Sequence, residues 1–350
     1  MNKIKTGLCS YGMSGKLFHA PFIQQHGGYE LVAAVERSKK EINERYPSVI
    51  SYSTIDELMA DENIELIIIN TPNYTHFDYS KKALLAGKHI VVEKPFCNTA
   101  KECDELIALA KEKNRMISVY QNRRWDSDFR TIRKVVEEKL LGEVVEAEIH
   151  FDRYDENLSY KLHKETPGPG AGIFYDLGPH LIDQALQLFG MPGAVFADLT
   201  VLRPISKVDD YMELILFYDR LRVRLKSGYL VKEPIPAYVF HGTKGSFLKS
   251  RGDIQENSLK QYISPGIPDW GLEPVEEQGL LHTSINGETV RKKIPTERGD
   301  YKEYYRLLHE ALRNGAPLPV TADDGRNVIY IIDKAFQSAH EKRIVELRCV

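Results

Sequence analysis

The run Leu66-Ile67-Ile68-Ile69 constrains this chain more than any other stretch, because it offers no polar residue to either face of a β-strand. Such a strand needs cover on both sides, and a parallel sheet under crossover helices supplies it. Leu31-Val32-Ala33-Ala34-Val35 and Ile90-Val91-Val92 have the same character, while Ile4–Ser10 alternates and Met116–Tyr120 is another short strand pattern. Amphipathic segments lie between them: one from Lys16, one that stops at Gly87, and one over Thr99–Lys113. The last opens on a capping box, with Thr99 as N-cap and Glu102 three residues on. Repeated β-α alternation of this kind predicts a parallel sheet within roughly the first 120 residues.

Ligands of open α/β sheets bind at the carboxyl ends of the strands, so the strand ends carry the functional reading. After the first strand comes Ser10-Tyr11-Gly12-Met13-Ser14-Gly15. Gly12 and Gly15 fill the second and third glycine places of a dinucleotide-binding turn, with Ser10 at the first. Gly12 would admit backbone to a pyrophosphate, Gly15 would let helix close on strand, and free N–H groups at the helix start would hold phosphate. Glu36 ends the second strand, 21 residues beyond Gly15 (36 − 15), close to the spacing of the acid that meets the adenosine ribose. Glu36 favours NAD, because a carboxylate repels a 2′-phosphate; Arg37 favours NADP for the opposite reason. Lys39 and Lys40 read as a solvated helix start. The next two edges carry Thr71-Pro72-Asn73-Tyr74-Thr75-His76 and Glu93-Lys94-Pro95. Alone, Lys94 is either an exposed lysine ending a strand or an amine held on a rigid turn at a cofactor crevice. The Lys94-Pro95 bond is of the kind that can be cis at modest cost.

A chain of 350 residues is too long for one ordinary core, and two domains are expected, 1–121 and 122–350. From Gln121 the pattern changes. A helix is predicted over about 128–139, and Val144–Phe151 alternates with one polar face. The polar loop from Arg153 to Gly172 holds Tyr154 and His163, readable as substrate contacts or as surface residues. Val195–Leu202, Tyr211–Phe217, Leu221–Leu225 and Tyr238–His241 predict an antiparallel sheet, with helices on one face and the other able to pair with a second subunit. Ile254–Thr296 reads as an irregular surface excursion, and Tyr301–Arg313 and Asp323–His340 as closing helices. With 47 basic and 50 acidic residues the formal net charge is -3, which gives no argument for a nucleic-acid or membrane surface. No apolar run approaches the ~20 residues that span a bilayer, and the start lacks a signal-peptide core. Cys9, Cys97, Cys103 and Cys349 show no metal spacing; free thiols in a reducing cytoplasm are expected.

Asp176-Leu177-Gly178-Pro179-His180 carries the second candidate constellation. Residues four apart on a helix share a face. Proline is tolerated only in a first turn, so the helix is expected to begin close to Pro179, with His180 near its amino end. The positive end of the dipole would disfavour imidazolium there and leave a neutral histidine able to act as general base, with Asp176 orienting it or taking a substrate hydroxyl. The alternative is a capping aspartate and a satisfied histidine. A metal set of His180, Asp183 and Asp176 has no further His or Cys at useful spacing.

Taken together, the chain resembles the Gfo/Idh/MocA family of oxidoreductases. The resemblance rests on Ser10–Gly15 with Phe18-His19-Ala20-Pro21, Asn70-Thr71-Pro72-Asn73 with His76, Glu93-Lys94-Pro95, Gln121-Asn122-Arg123-Arg124-Trp125-Asp126, and Asp176-Leu177-Gly178-Pro179-His180 with Asp183. It implies a Rossmann domain, mostly parallel, followed by an α+β domain with a large open, mostly antiparallel sheet through which members dimerise or tetramerise. It implies that the chain transfers a hydride between a secondary alcohol of a polyol, inositol or sugar and a nicotinamide. Ser10, Gly12, Met13, Ser14, Gly15, Glu36, Arg37, Thr71, Pro72, Asn73, His76, Glu93, Lys94 and Asn122 would then form the cofactor site. Lys94, Asp176 and His180 would be catalytic, and Arg123, Tyr154 and His163 would join them on the substrate. Within the family the chain is most similar to the NADP-dependent scyllo-inositol dehydrogenase branch, so NADP is expected, with NAD second. A glycosidase that retains its nicotinamide and a cofactor-binding regulator without catalysis are the rival readings.

Overall fold

The apolar runs pair in parallel, as their lack of alternation requires. A computed structural model describes residues 2–347, and Cys349 lies outside the described residues. The chain opens with β1 (Ile4–Leu8), α1 (Ala20–Gln25), β2 (Tyr29–Val35), α2 (Ile42–Arg45), β3 (Ile50–Tyr52), α3 (Ile55–Ala60), β4 (Leu66–Ile69), α4 (His76–Leu85), β5 (His89–Glu93), α5 (Ala100–Lys113) and β6 (Ile117–Tyr120). These strands form one sheet in the order β3-β2-β1-β4-β5-β6, every neighbour parallel. The four residues of β4 are fully buried. Strand order reverses between β1 and β4, so the connections leaving these two strands diverge and open a crevice at the carboxyl edge.

The second sheet follows α6 (Ser127–Glu137). Its elements are β7 (Val144–His150), α7 (Leu162–Glu165), α8 (Gly172–Phe189), β8 (Ala194–Thr200), β9 (Tyr211–Phe217), β10 (Arg222–Gly228), β11 (Tyr238–Gly242) and β12 (Gly245–Lys249). After α9 (Gln255–Lys260) come β13 (Gly279–Ile285), β14 (Glu288–Ile294), α10 (Lys302–Asn314), α11 (Ala322–Glu341) and β15 (Val345–Glu346). Nine strands run in the order β14-β13-β12-β11-β7-β10-β9-β8-β15. The β7–β10 pair is parallel and the other neighbours are antiparallel. Buried Leu214, Leu216, Val223 and Leu225 alternate with the outward-facing Ile215, Phe217, Arg222 and Arg224. Among the described residues no helix is long and apolar enough to cross a membrane.

Three sequence expectations change. Ile254–Thr296 is not irregular, for it holds α9, β13 and β14. The edge strand β14 carries Arg291, Lys292 and Lys293 and has no buried residue; charge blunts a sheet edge, and it also removes the apolar signal of a strand. Second, the compact unit around the parallel sheet does not end at residue 121: it comprises residues 1–122, 255–270 and 300–326. The returning segments bring an aromatic wedge. Phe22 stacks on Tyr305 with ring centroids 5.9 Å apart, Trp270 lies edge-on to Phe22, and the Tyr304 hydroxyl donates to Ser118 Oγ at 2.9 Å. Third, α8 begins at Gly172, so Pro179 sits inside it and His180 is well away from the amino end. The helix survives its proline because Ile173, Phe174, Leu177, Leu181, Ile182 and Ala185 are buried, and tertiary packing outweighs a lost backbone bond.

The capping box of α5 forms as the sequence indicates: Glu102 N–H donates to Thr99 Oγ1 and Thr99 N–H to Glu102 Oε2, both at 3.2 Å. Thr99→Ala is expected to lower the free energy of unfolding by about 1 kcal/mol, read as a shifted urea midpoint with unchanged slope.

Candidate functional site

The turn after β1 is closed by side chains as well as glycines. Ser10 Oγ accepts the Gly12 N–H at 3.1 Å, which gives the serine in the first glycine place a task of its own. Asn70, just past β4, pairs with the Ser10 backbone in both directions, Oδ1 accepting from N at 2.9 Å and Nδ2 donating to O at 2.7 Å. This pair fixes the two diverging edges of the crevice against each other. A Cβ on Gly15 would collide with the Ser10 carbonyl oxygen, so only glycine lets the helical turn Gly15–His19 close so tightly on the strand. Gly12 and Met13 are exposed on the turn, and Ser14 is half-buried. Tight turn, glycine cradle and position at the strand-order reversal fit a dinucleotide.

The β5 edge is locked by Glu93. Its Oε1 accepts from the Ser14 hydroxyl and lies 3.0 Å from His19 Nε2, whose Nδ1 lies 2.6 Å from the Tyr305 hydroxyl. Burial raises the pKa of Glu93, but the His19 and Ser14 hydrogen bonds and the charge of Lys94 prevail and hold it at about 2. Lys94 follows directly, half-buried, and the Lys94-Pro95 bond is cis. His76 lies beneath these turns rather than in the crevice. It is 1% exposed, with Nδ1 2.7 Å from the Pro95 carbonyl and Nε2 2.9 Å from that of Thr71. Burial lowers its pKa, and its contribution is to brace two edge turns. Thr71 and Thr75 share a hydroxyl contact at 2.6 Å, and Asn73 Oδ1 accepts the Tyr74 N–H. Asn122, at the close of the unit, is buried.

Glu36 is also turned to structural use. Oε1 accepts the N–H groups of Glu41 at 2.8 Å and Ile42 at 3.1 Å, and Oε2 accepts from Ser51 Oγ at 2.7 Å. Lys40 is a tie, its ammonium donating to the carbonyls of Glu36, Ser51 and Tyr52. Arg37, Ser38 and Lys39 remain exposed beside them.

In the second unit, Asp176, His180 and Asp183 stand four and three residues apart on α8 and so share a face. The start of that helix is held by Asp209, whose Oδ2 accepts the Phe174 N–H at 2.8 Å; a Cβ on Gly172 would strike the same carboxylate. Burial pushes Asp209 up to about 6. Asp183 is gripped by Arg124 through two bonds, Nε to Oδ2 at 2.9 Å and Nη2 to Oδ1 at 2.6 Å, so this former metal candidate is an ion-pair partner. His180 is 5% exposed. Asp176 accepts a hydrogen bond from Lys164. Arg123 donates to Asp126 Oδ2 at 3.2 Å and lies 5.0 Å from the Phe151 ring. Tyr154 is exposed beside Lys232, and His163 is exposed on α7 with its pKa lowered by desolvation and the neighbouring lysines.

Sequence reasoning did not single out His19, Tyr305, Asn70 or Lys164 as site residues. His19 and Asn70 lie within motifs already noted. Tyr305 and Lys164 act through contacts that no local pattern signals.

Residues 4–121 match the description "Oxidoreductase family, NAD-binding Rossmann fold", and residues 133–347 match "Oxidoreductase family, C-terminal alpha/beta domain". The chain is 38% identical to scyllo-inositol 2-dehydrogenase (NADP(+)) IolW of Bacillus subtilis, covering 99% of this chain and 97% of that one. A crystal structure from Bacteroides fragilis superimposes with a TM-score of 0.91 at 47% identity, covering 99% of this chain and 100% of the other. An oxidoreductase from Bacillus cereus does so at 0.92 and 33% identity, covering 99% of each.

Glu93 makes stability depend on pH in a stated direction. Its folded pKa of about 2 lies below its ordinary 4.5, so the ionised form contributes stability that is complete above the unfolded pKa and is lost as pH falls from about 4.5 toward 2. The contribution is on the order of 3 kcal/mol near neutral pH. Glu93→Gln is expected to lower the unfolding free energy at pH 7, with the gap to the unchanged protein narrowing as the pH of the denaturation series drops below about 5.

Proposed function

This chain belongs to the Gfo/Idh/MocA oxidoreductase family, and we propose that it is an NADP-dependent dehydrogenase of a secondary alcohol on a polyol, inositol or sugar. The observation that carries the reading is Lys94, placed at the carboxyl edge of β5 directly after a carboxylate that the first glycine turn locks in place. The relative named as a scyllo-inositol dehydrogenase supports the substrate class. A nicotinamide, when bound, supplies hydride transfer. The protein then needs placement and a proton acceptor. Lys94 Nζ donates a hydrogen bond to the reacting oxygen, a ring nitrogen of His180 takes the hydroxyl proton, and Asp176 accepts from a substrate hydroxyl. Ser10–Gly15 would hold the phosphates, and Thr71, Pro72, Asn73 and Asn122 would line the cofactor.

For cofactor choice, the Glu36 carboxylate is the deciding group. It is committed to three internal donors at the start of α2 and on β3, which blunts its repulsion of a 2′-phosphate, and Arg37 lies exposed beside it to pair with one. The outward face of the large sheet supports a homodimer or homotetramer. Val145, Glu146, Ala147, Ile215, Phe217, Arg222 and Arg224 line a groove there that combines apolar side chains with charges of both signs, as a self-complementary interface can use.

A panel of inositols, sugars and their oxidised forms, run with NAD and NADP in parallel, tests the reading. Turnover is expected with NADP preferred. Lys94→Ala and His180→Ala should each lose on the order of 10²-fold or more in kcat while fluorescence titration shows NADPH binding retained; full activity in both variants would falsify these roles. Arg37→Ala should weaken NADP more than NAD. Glu36→Gln should cost stability and leave the preference as it is, and an increase in NADP affinity of about tenfold (1.4 kcal/mol) would return Glu36 to the role of ribose ligand.

A further inference from the structure

The ammonium of Lys164 lies against Asp176 Oδ1. A lysine on a polar loop is ordinarily mobile, and an exposed ion pair contributes little. Here the side chains are 30% and 12% exposed, and the single helical turn that carries Lys164 is anchored from within. The next residue, Glu165, is buried; its Oε2 accepts from Arg203 Nη2 at 3.1 Å and its Oε1 from the Ser159 N–H at 2.9 Å. Arg203 in turn donates through Nε to Asp210 Oδ2 at 3.0 Å and through Nη1 to the Asn157 carbonyl at 2.5 Å, with its guanidinium 4.3 Å from the Tyr229 ring centre. The Arg203 and Asp210 side chains are only 2% and 1% exposed. Removing one partner of such a network strands a buried charge, so the network fixes α7 firmly.

We propose that Lys164 is a positioning residue for the acid–base chemistry of α8: it keeps the Asp176 carboxylate ionised and aimed, and the Arg203–Glu165 pair holds Lys164 in place. The inference rests on the dehydrogenase reading of Asp176 and His180. Charged or titratable groups that interact with Asp176 include His163 on α7 and Tyr229 after β10, the latter also facing Arg153, Glu165 and Arg203, and His180 lies one turn along the same helix. Lys164 is in direct hydrogen-bond contact with its carboxylate. An adjacent cation favours the ionised carboxyl, so its loss moves protonation to higher pH, and a protonated acid no longer offers the same acceptor to a substrate hydroxyl.

The test is carboxyl-¹³C NMR of aspartate-labelled full-length protein, with Asp176 assigned through Asp176→Asn, in Lys164→Gln, Lys164→Arg and Glu165→Gln. Asp176 is expected to titrate at higher pH in Lys164→Gln, to return toward its original midpoint in Lys164→Arg, and to shift partway in Glu165→Gln. On a substrate from the panel, Lys164→Gln should lose about tenfold or more in kcat, with the acid limb of its pH–rate profile moved upward and cofactor KM unchanged. An Asp176 titration identical in Lys164→Gln and the unchanged protein would overturn the assignment, as would an unaltered pH–rate profile. An empty substrate panel alongside a shifted Asp176 resonance would sink the dehydrogenase reading and still support the Lys164–Asp176 coupling.

Discussion

One largely shielded carboxylate organises the carboxyl edge of the parallel sheet. Glu93 closes β5, yet its partners come from the turn and helical segment that follow β1, and β4 lies between those strands. The Ser14 and His19 contacts therefore span the place where strand order reverses. His76 braces the next edge by touching the carbonyls of Thr71 and Pro95. A charge taken out of water costs several kcal/mol unless it is paired and hydrogen-bonded. That cost makes the lock specific: Glu93 is tolerated only while Ser14 and His19 stand where they do, and Tyr305 in turn fixes the far nitrogen of His19. Lys94 thus extends from a strand end whose last side chain is held from the far side of the crevice.

Carboxylates at helix starts form a second recurring device. Glu36 receives the N–H groups that open α2, Asp209 receives that of Phe174 at the start of α8, and Asp253 receives that of Ser127 at the start of α6. Each satisfies donors that a helix cannot satisfy itself and sets negative charge against the positive end of the dipole. The device accounts for the internal donors that Glu36 accepts at the spacing of a ribose ligand. It also explains why α8 starts at Gly172, where the backbone passes so close to Asp209 that no side chain fits.

The parts legible from sequence were those governed by local rules. Uninterrupted apolar runs marked the parallel strands because cover on both faces leaves no room for polar residues, and Thr99 with Glu102 marked a helix start through bonds three residues apart. Pro179 misplaced the start of α8, since the rule that proline opens a helix yields wherever a long buried face pays for the lost bond. The charged edge strand β14 was invisible because its stability comes from its neighbour β13 rather than from its own burial. Tyr305 meets His19 across 286 residues of sequence, and no spacing rule reaches that far. Asp176 and His180 were found as a pair because four residues on a helix is a local relation. Lys164, twelve residues from Asp176 and on a separate turn, was not.

The two carboxylates that share a face of α8, Asp176 and Asp183, differ in the cation each is given. Asp183 is met by an arginine fork that binds both oxygens in fixed geometry, with both side chains at most 5% exposed. Asp176, seven residues earlier, is met by a lysine. An ammonium is a compact point charge on a flexible stem, and it does not impose the bidentate plane that a guanidinium does. A fork at Asp176 would immobilise it as Asp183 is immobilised, and no cation at all would leave its charge to burial. A lysine next to a glutamate that Arg203 holds lies between these limits, which is the setting the proposed positioning role of Lys164 requires.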